Sequence, residues 1–147
     1  MNPKTDLREA ARQVREVYAE WQIRPLERGC TGLAGCCRFR LTGRTPYLTR
    51  GEAWVAACAW RAAGRTELAA AADGSCPMLH PATGQCRIYD GRPFGCRTHF
   101  CPAAGGPAAR SAVRDLIQRL EAIDTRLGGA GAVNLSAAVR DALGWRP

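Results

Sequence analysis

Apolar residues return at helical spacing along much of this chain. Leu7, Ala10, Ala11, Val14, Val17, Tyr18 and Trp21 fall on one side of a helix whose other side carries arginines and glutamates. This predicts an amphipathic first helix that ends before Pro25. Thr49-Arg-Gly-Glu52 reads as a capping box, after which Trp54, Val55, Cys58 and Ala62 share one face of a helix closing near Gly64. Thr66 to Ala72 reads as a short alanine-rich helical turn stopped by Asp73-Gly74. Past the break at Pro102 to Pro107, the stripe Val113, Leu116, Ile117, Leu120, Ile123 and Leu127 predicts a long helix that Gly128-Gly129 ends. Gly128 to Gly131 then reads as a flexible link to a last short helix around Leu135 to Leu143, with Asn134 as its cap and Trp145 as a tether. Phe39 and Leu41 alternate with arginines in a stretch too short to count as more than a candidate strand.

The apolar stripes are the right width to pack on one another, so they read as core before they read as a partner surface. No internal repeat interrupts them. The fold expected is mainly α: a small single-domain helical bundle, residues 1–147, with two irregular cysteine-rich metal-binding loops. The cysteine region spans 30–101 and the C-terminal helices 107–147. A chain of 147 residues can bury a core without relying on metal throughout.

The cysteines change this picture from a plain bundle to one with chemistry. Seven of the eight fall in two clusters, Cys30, Cys36 and Cys37 in one and Cys76, Cys86, Cys96 and Cys101 in the other. Gly32 and Gly35 let the backbone of the first cluster turn so that neighbouring sulfurs can face one centre. The second is a set of turn-rich steps about ten residues apart. Disulfides compete with metal for such a pattern. Residues 1–20 carry Lys4, Asp6, Arg8, Glu9, Arg12, Arg15, Glu16 and Glu20, which leaves no apolar core of a signal peptide, and no stretch approaches membrane-spanning length. The expected compartment is therefore the cytoplasm, where clustered thiols hold metal more often than they pair. Adjacent Cys36 and Cys37 could hardly bridge each other without strain. Cys58 lies outside both clusters, on the face of the capped helix, and reads as a small buried apolar residue.

Charge alters the list of partners less than its size suggests. The net charge of +8 comes from twenty arginines and one lysine against thirteen acids. Those arginines are scattered over every segment, with no basic run interleaved with aromatics, so nucleic acid is not the partner expected. Between Cys30 and Cys101 nine arginines face four acids. Arg38, Arg87, Arg92 and Arg97 each lie within a few residues of a clustered cysteine and can serve as counter-charges to thiolates, or equally as ordinary solvated surface arginines. His99 is a candidate additional ligand, whereas His80, before Pro81, reads as an ordinary surface histidine. No Gly-rich phosphate loop, His-Glu-x-x-His helix or nucleophile elbow is present, and no catalytic residue is assigned.

Cys30-Thr-Gly-Leu33-Ala-Gly-Cys36-Cys37, Leu48-Thr-Arg-Gly-Glu52 and the run from Cys76 through Cys86-Arg-Ile-Tyr-Asp-Gly-Arg92-Pro93-Phe-Gly-Cys96-Arg together resemble the bacterial CxxCxxCC cysteine-cluster family, described as zinc- or iron-chelating. The resemblance covers roughly residues 30–101. This chain carries Leu33 where that family's second cysteine belongs. The resemblance implies metal ligation by Cys30, Cys36, Cys37, Cys76, Cys86 and Cys96, and Cys101 and His99 can complete the number. Softness of the donors alone does not choose between two tetrahedral zinc sites and one iron–sulfur cluster. The excess of thiolate over imidazole and the flanking arginines lean toward iron or an iron–sulfur cluster, with zinc the alternative. The function expected is that of a metal-binding accessory, carrier or sensor protein with a metal ion as ligand and room for a partner protein. The competing readings are an iron-dependent redox or protein-modifying enzyme and a zinc-stabilised interaction module.

Overall fold

Three amphipathic stretches become the helices that organise the molecule, here a computed structural model that describes residues 3–24, 45–98 and 109–147. The first is α1, Pro3–Ile23. Strand β1, Tyr47–Leu48, leads into α2, Arg50–Ala62, which is followed by the cysteine-bearing stretch, a 3-10 turn at Tyr89–Gly91 and the short α3, Phe94–Thr98. The long helix α4 covers Arg110–Arg126, strand β2 Val133–Asn134, and α5 Leu135–Ala142. The two strands pair antiparallel, Tyr47 opposite Asn134 and Leu48 opposite Val133. The described residues are thus mainly helical, as the periodicity predicts. Of the residues singled out in the sequence, Cys30, Cys36, Cys37, Arg38, Phe39, Leu41, His99, Cys101 and the proline break 102–107 lie outside the described residues.

Helix α2 is the centre of the packing because it is buried on two sides. Toward one side, Trp54 and Val55 join Val14, Val17, Tyr18 and Trp21 of α1, Val113, Leu116, Leu120 and Ile123 of α4, and Phe94. Gly51 permits this three-helix contact: a methyl there would lie 2.8 Å from Val14 Cγ2 and 2.9 Å from Ile123 Cγ2. Toward the other side, Ala53, Ala56, Ala57 and Trp60 meet Leu135, Ala138, Val139 and Ala142, together with Leu68, Cys76, Met78 and Ile88. The sequence stripe on α2 marks only the first of these faces. The second is built largely of alanines, whose small side chains let α5 approach closely. Ala62, expected on the buried face, is instead exposed at the helix end.

Trp145 packs against both clusters. Its ring stacks on Trp54 at 6.4 Å between centroids, and the Arg50 guanidinium lies 4.6 Å from its centroid on a ring face. The expected C-terminal tether is therefore formed. Asn134 also caps α5 as expected, its side chain accepting from Ser136 N–H at 3.1 Å. The Gly128–Gly131 link is tied rather than loose: Gly129 N–H donates to the Asp124 carbonyl at 2.8 Å and Gly131 N–H to Asp124 Oδ2 at 3.0 Å.

The helical turn predicted over Thr66 to Ala72 does not form. Only Leu68 of that stretch is buried, and an isolated helix so short is unstable without a packed face. Side chains take its carbonyls instead, Trp60 Nε1 donating to Glu67 O at 2.9 Å and Arg140 Nε to Leu68 O at 2.8 Å.

Candidate metal centre

The cysteine stretch folds as two supported turns. Cys76 opens the first, its carbonyl accepting from Leu79 N–H at 3.2 Å, and Leu79 forms an isolated antiparallel bridge with Cys86. Arg87 N–H to Met78 O at 3.1 Å and His80 N–H to Gln85 O at 2.8 Å complete the hairpin. Gly84, at φ +70°, occupies the left-handed conformation that its return requires. His80 is exposed and its Nδ1 accepts from Ala82 and Thr83 N–H, so it serves the turn. Cys76 is buried and Cys86 partly buried against the cluster of Trp60, Met78 and Ile88. Both thiols thus sit where α2 and the hairpin meet.

Cys96 sits in the second turn, on α3. Pro93 is fully buried, and its carbonyl accepts from Cys96 N–H at 3.0 Å and Arg97 N–H at 3.1 Å. Arg97 holds the turn from one side, donating from Nε to Arg92 O at 2.7 Å and from a terminal nitrogen to Asp90 O at 2.6 Å, with its guanidinium 4.0 Å from the centroid of the Tyr18 ring. Burial lowers the Arg97 pKa from its ordinary value. Arg92 lies over Tyr89 at 3.8 Å and donates from Nε to the Tyr89 carbonyl at 2.9 Å.

Glu52 grips the same turn from inside the protein. It is buried, and its Oε1 accepts from Phe94 N–H at 2.7 Å and from the Tyr18 hydroxyl at 3.4 Å. Its Oε2 accepts from Thr49 N–H at 2.9 Å and the Thr49 hydroxyl at 2.8 Å, closing the predicted capping box. Burial pushes the Glu52 carboxyl above its usual range while the four donors pull the other way. Tyr18, deeply buried beside that carboxylate, is raised well above its ordinary value, first by desolvation and then by the Glu52 charge. The sequence shows the capping box; it carries no sign that the same carboxylate reaches Tyr18 and Phe94.

Among the described residues, no three or more His, Cys, Asp or Glu side chains are grouped so as to hold a metal ion. Cys76, Cys86 and Cys96 therefore do not make a closed site by themselves, and a four-ligand centre needs donors beyond them. Their chemistry fits a thiophilic metal. Next to Cys86 in the chain, the Arg87 guanidinium stands 5.7 Å from the Trp60 ring centroid, and its Nε, like that of Arg50, is buried with no hydrogen-bond partner among the described residues. Cys58 lies apart, half-buried against the α1–α4 cluster, and burial raises its pKa. A cavity of about 590 Å³ adjoins α3, with Phe94, Gly95 and Thr98 on one wall and Glu52 and Leu120 on others.

The chain belongs to the CxxCxxCC family, described as "Putative zinc- or iron-chelating domain", whose profile matches residues 29–115, more than half of its length. That description supports a metal-binding protein of zinc or iron. No curated protein and no solved structure matches the chain. No helix among the described residues is long and apolar enough to cross a membrane.

Proposed function

We propose that this chain binds iron, as an ion or an iron–sulfur cluster, through the thiolates of Cys30, Cys36, Cys37, Cys76, Cys86, Cys96 and Cys101, and acts in the cytoplasm as an accessory, carrier or sensor of that metal. The observation that carries the reading is the support given to the cysteine turns: Cys86 stands on a hairpin closed by backbone bonds, and Cys96 on a short helix held by a buried proline, by arginine-to-carbonyl bonds and by a buried carboxylate. Ligands need such outer partners to fix their orientation. Bound thiolates carry negative charge, and Arg87 and Arg97, which directly follow Cys86 and Cys96, and Arg92, four residues before Cys96, are candidate counter-charges. His99 is a candidate eighth donor.

Metal analysis of anaerobically purified protein, read with its absorption spectrum, tests this. Iron with thiolate-to-metal charge-transfer bands is the expected result. Colourless protein with stoichiometric zinc overturns the iron assignment and favours a zinc-stabilised module. The cavity beside α3 is the observation that favours a second reading, an iron-dependent redox or protein-modifying enzyme, because a space of about 590 Å³ next to a candidate ligand helix is the size of an ordinary ligand site.

A further inference from the structure

We infer that Glu52 is a positioning residue for the metal site, presetting the turn that carries Cys96 before any metal arrives. The inference rests on the reading that Cys96 is a ligand. Helix α3 has only five residues, Phe94–Thr98, too few to be stable alone. Its first amide, Phe94 N–H, has no helical partner by construction. Glu52 supplies one from 42 residues away at 2.7 Å. The carboxylate is in turn immobilised by Thr49 at the start of α2 and approached by Tyr18 from α1. The Cys96 turn is thereby referenced to the junction of two long helices rather than to its own loop.

Four donors converge on Glu52, and only a carboxylate can accept from all of them. Glutamine offers one oxygen, so either the Phe94 link or the Thr49 pair is left facing an NH2 group. A capping box needs only the Thr49 bonds, so helix capping does not account for the second oxygen being spent on Phe94 and Tyr18. Placing a carboxylate in a buried position costs stability unless every lone pair is matched. Here the matching groups come from three separate segments, which makes the charge a joint between them.

The test uses the full chain loaded anaerobically with Fe2+ or Zn2+ and measures metal release to a competing chelator. Glu52→Gln is compared with Thr49→Val, which removes a capping donor but leaves the Phe94 bond in place. Loss of outer-shell support weakens metal binding on the order of 10- to 100-fold, so Glu52→Gln should release metal at least about 10-fold faster than wild type well below its unfolding midpoint. Thr49→Val, compared at the same distance below its own midpoint, should stay close to wild type. Equal acceleration in both variants assigns the effect to helix capping and overturns the inference. Amide hydrogen exchange in the wild-type chain gives a second measurement that needs no variant to fold: Phe94 N–H should be protected in the metal-free protein, and free exchange there overturns the inference too. A wild-type chain that takes up no metal removes the metal reading and this inference together. Metal held equally well by wild type and a folded Glu52→Gln removes this inference alone.

Discussion

Gly91→Ala isolates how the cysteine turns are seated on α2. Gly91 is buried in the 3-10 turn between Cys86 and Cys96, and a methyl there would lie 2.7 Å from Ala59 Cβ and 3.5 Å from the Val55 carbonyl oxygen. Carbon atoms prefer roughly 3.5–4.0 Å, so a separation near 1 Å more is needed. Neither neighbour has a torsion that could give way, since an alanine methyl moves only with its helix. The turn must lift. Overpacking of this kind costs about 1–3 kcal/mol, and replacing glycine returns about 0.4–1 kcal/mol by restricting the unfolded chain, which leaves a net loss between about 0 and 2.6 kcal/mol, centred on about 1.3 kcal/mol. At about 2–4 °C per kcal/mol for a chain of this size, that central value lowers the melting temperature by roughly 3–5 °C in far-ultraviolet circular dichroism. The double variant with Ala59→Gly restores the space. Although Ala59→Gly alone costs about 0.5–1 kcal/mol as a mid-helix glycine, in the Gly91→Ala background it should be neutral or stabilising, a coupling of about 1–3 kcal/mol. A raised melting temperature in Gly91→Ala, or strict additivity in the double variant, refutes the close approach.

Two further outcomes follow from burial. Cys58→Ala should leave metal content unchanged and cost no more than about 1 kcal/mol, as for a small thiol half-sheltered by packing, whereas Cys86→Ala and Cys96→Ala should both lower metal content; equal loss in all three variants would overturn the separation of Cys58 from the ligand set. The Tyr18 pKa is higher folded than unfolded, so its contribution to stability is complete below about pH 10, the unfolded value, and is lost as pH rises above that. Denaturant titrations should show stability falling on the alkaline side of that point, and Tyr18→Phe should flatten this part of the curve; an unaltered alkaline limb in Tyr18→Phe refutes the assignment.

The helices were legible because their apolar residues recur with the helical period over many turns, and α1, α2, α4 and α5 lie where that period and the capping residues put them. The second buried face of α2 was not, since Ala53, Ala56 and Ala57 carry too little hydrophobic contrast to mark a side. Thr66 to Ala72 misled for the opposite reason: alanine favours helix locally, but nothing packs against the stretch except around Leu68. At the candidate site, residue type and spacing pointed to metal, and the family match agrees. What spacing could not contain is support across the chain. Glu52 looks complete as a local cap, while its bonds to Tyr18 and Phe94 span 34 and 42 residues. Asp124 reads as a polar residue at a helix end, yet it is buried and accepts from Arg50 N–H, 74 residues earlier, at 2.7 Å. Sequence periodicity reports which face of an element is apolar; it says nothing of which distant backbone donor a buried carboxylate will meet.

Several of the arginines make the same kind of contact. Arg92, Arg97 and Arg140 each donate from Nε to a backbone carbonyl, those of Tyr89, Arg92 and Leu68. Arg50, Arg61, Arg87, Arg92 and Arg97 lie over aromatic rings. A planar guanidinium can stack and donate in its own plane at once, as those of Arg61, Arg92 and Arg97 do, which a lysine ammonium cannot. A phosphate-binding face needs guanidinium groups at liberty to reach along a backbone, whereas Arg97 ties α3 to the turn at Asp90 and Arg92, and Arg140 ties α5 to the loop at Leu68. Arg92→Gln removes both the stack on Tyr89 and the bond to its carbonyl just ahead of Pro93 and Cys96, so the loaded protein should lose metal to a chelator faster than wild type. Duplex and single-strand binding should be negligible at physiological salt in either protein. Affinity for nucleic acid that falls steeply with salt, with a smaller salt slope and unchanged metal retention in Arg92→Gln, would show instead that this guanidinium serves phosphate.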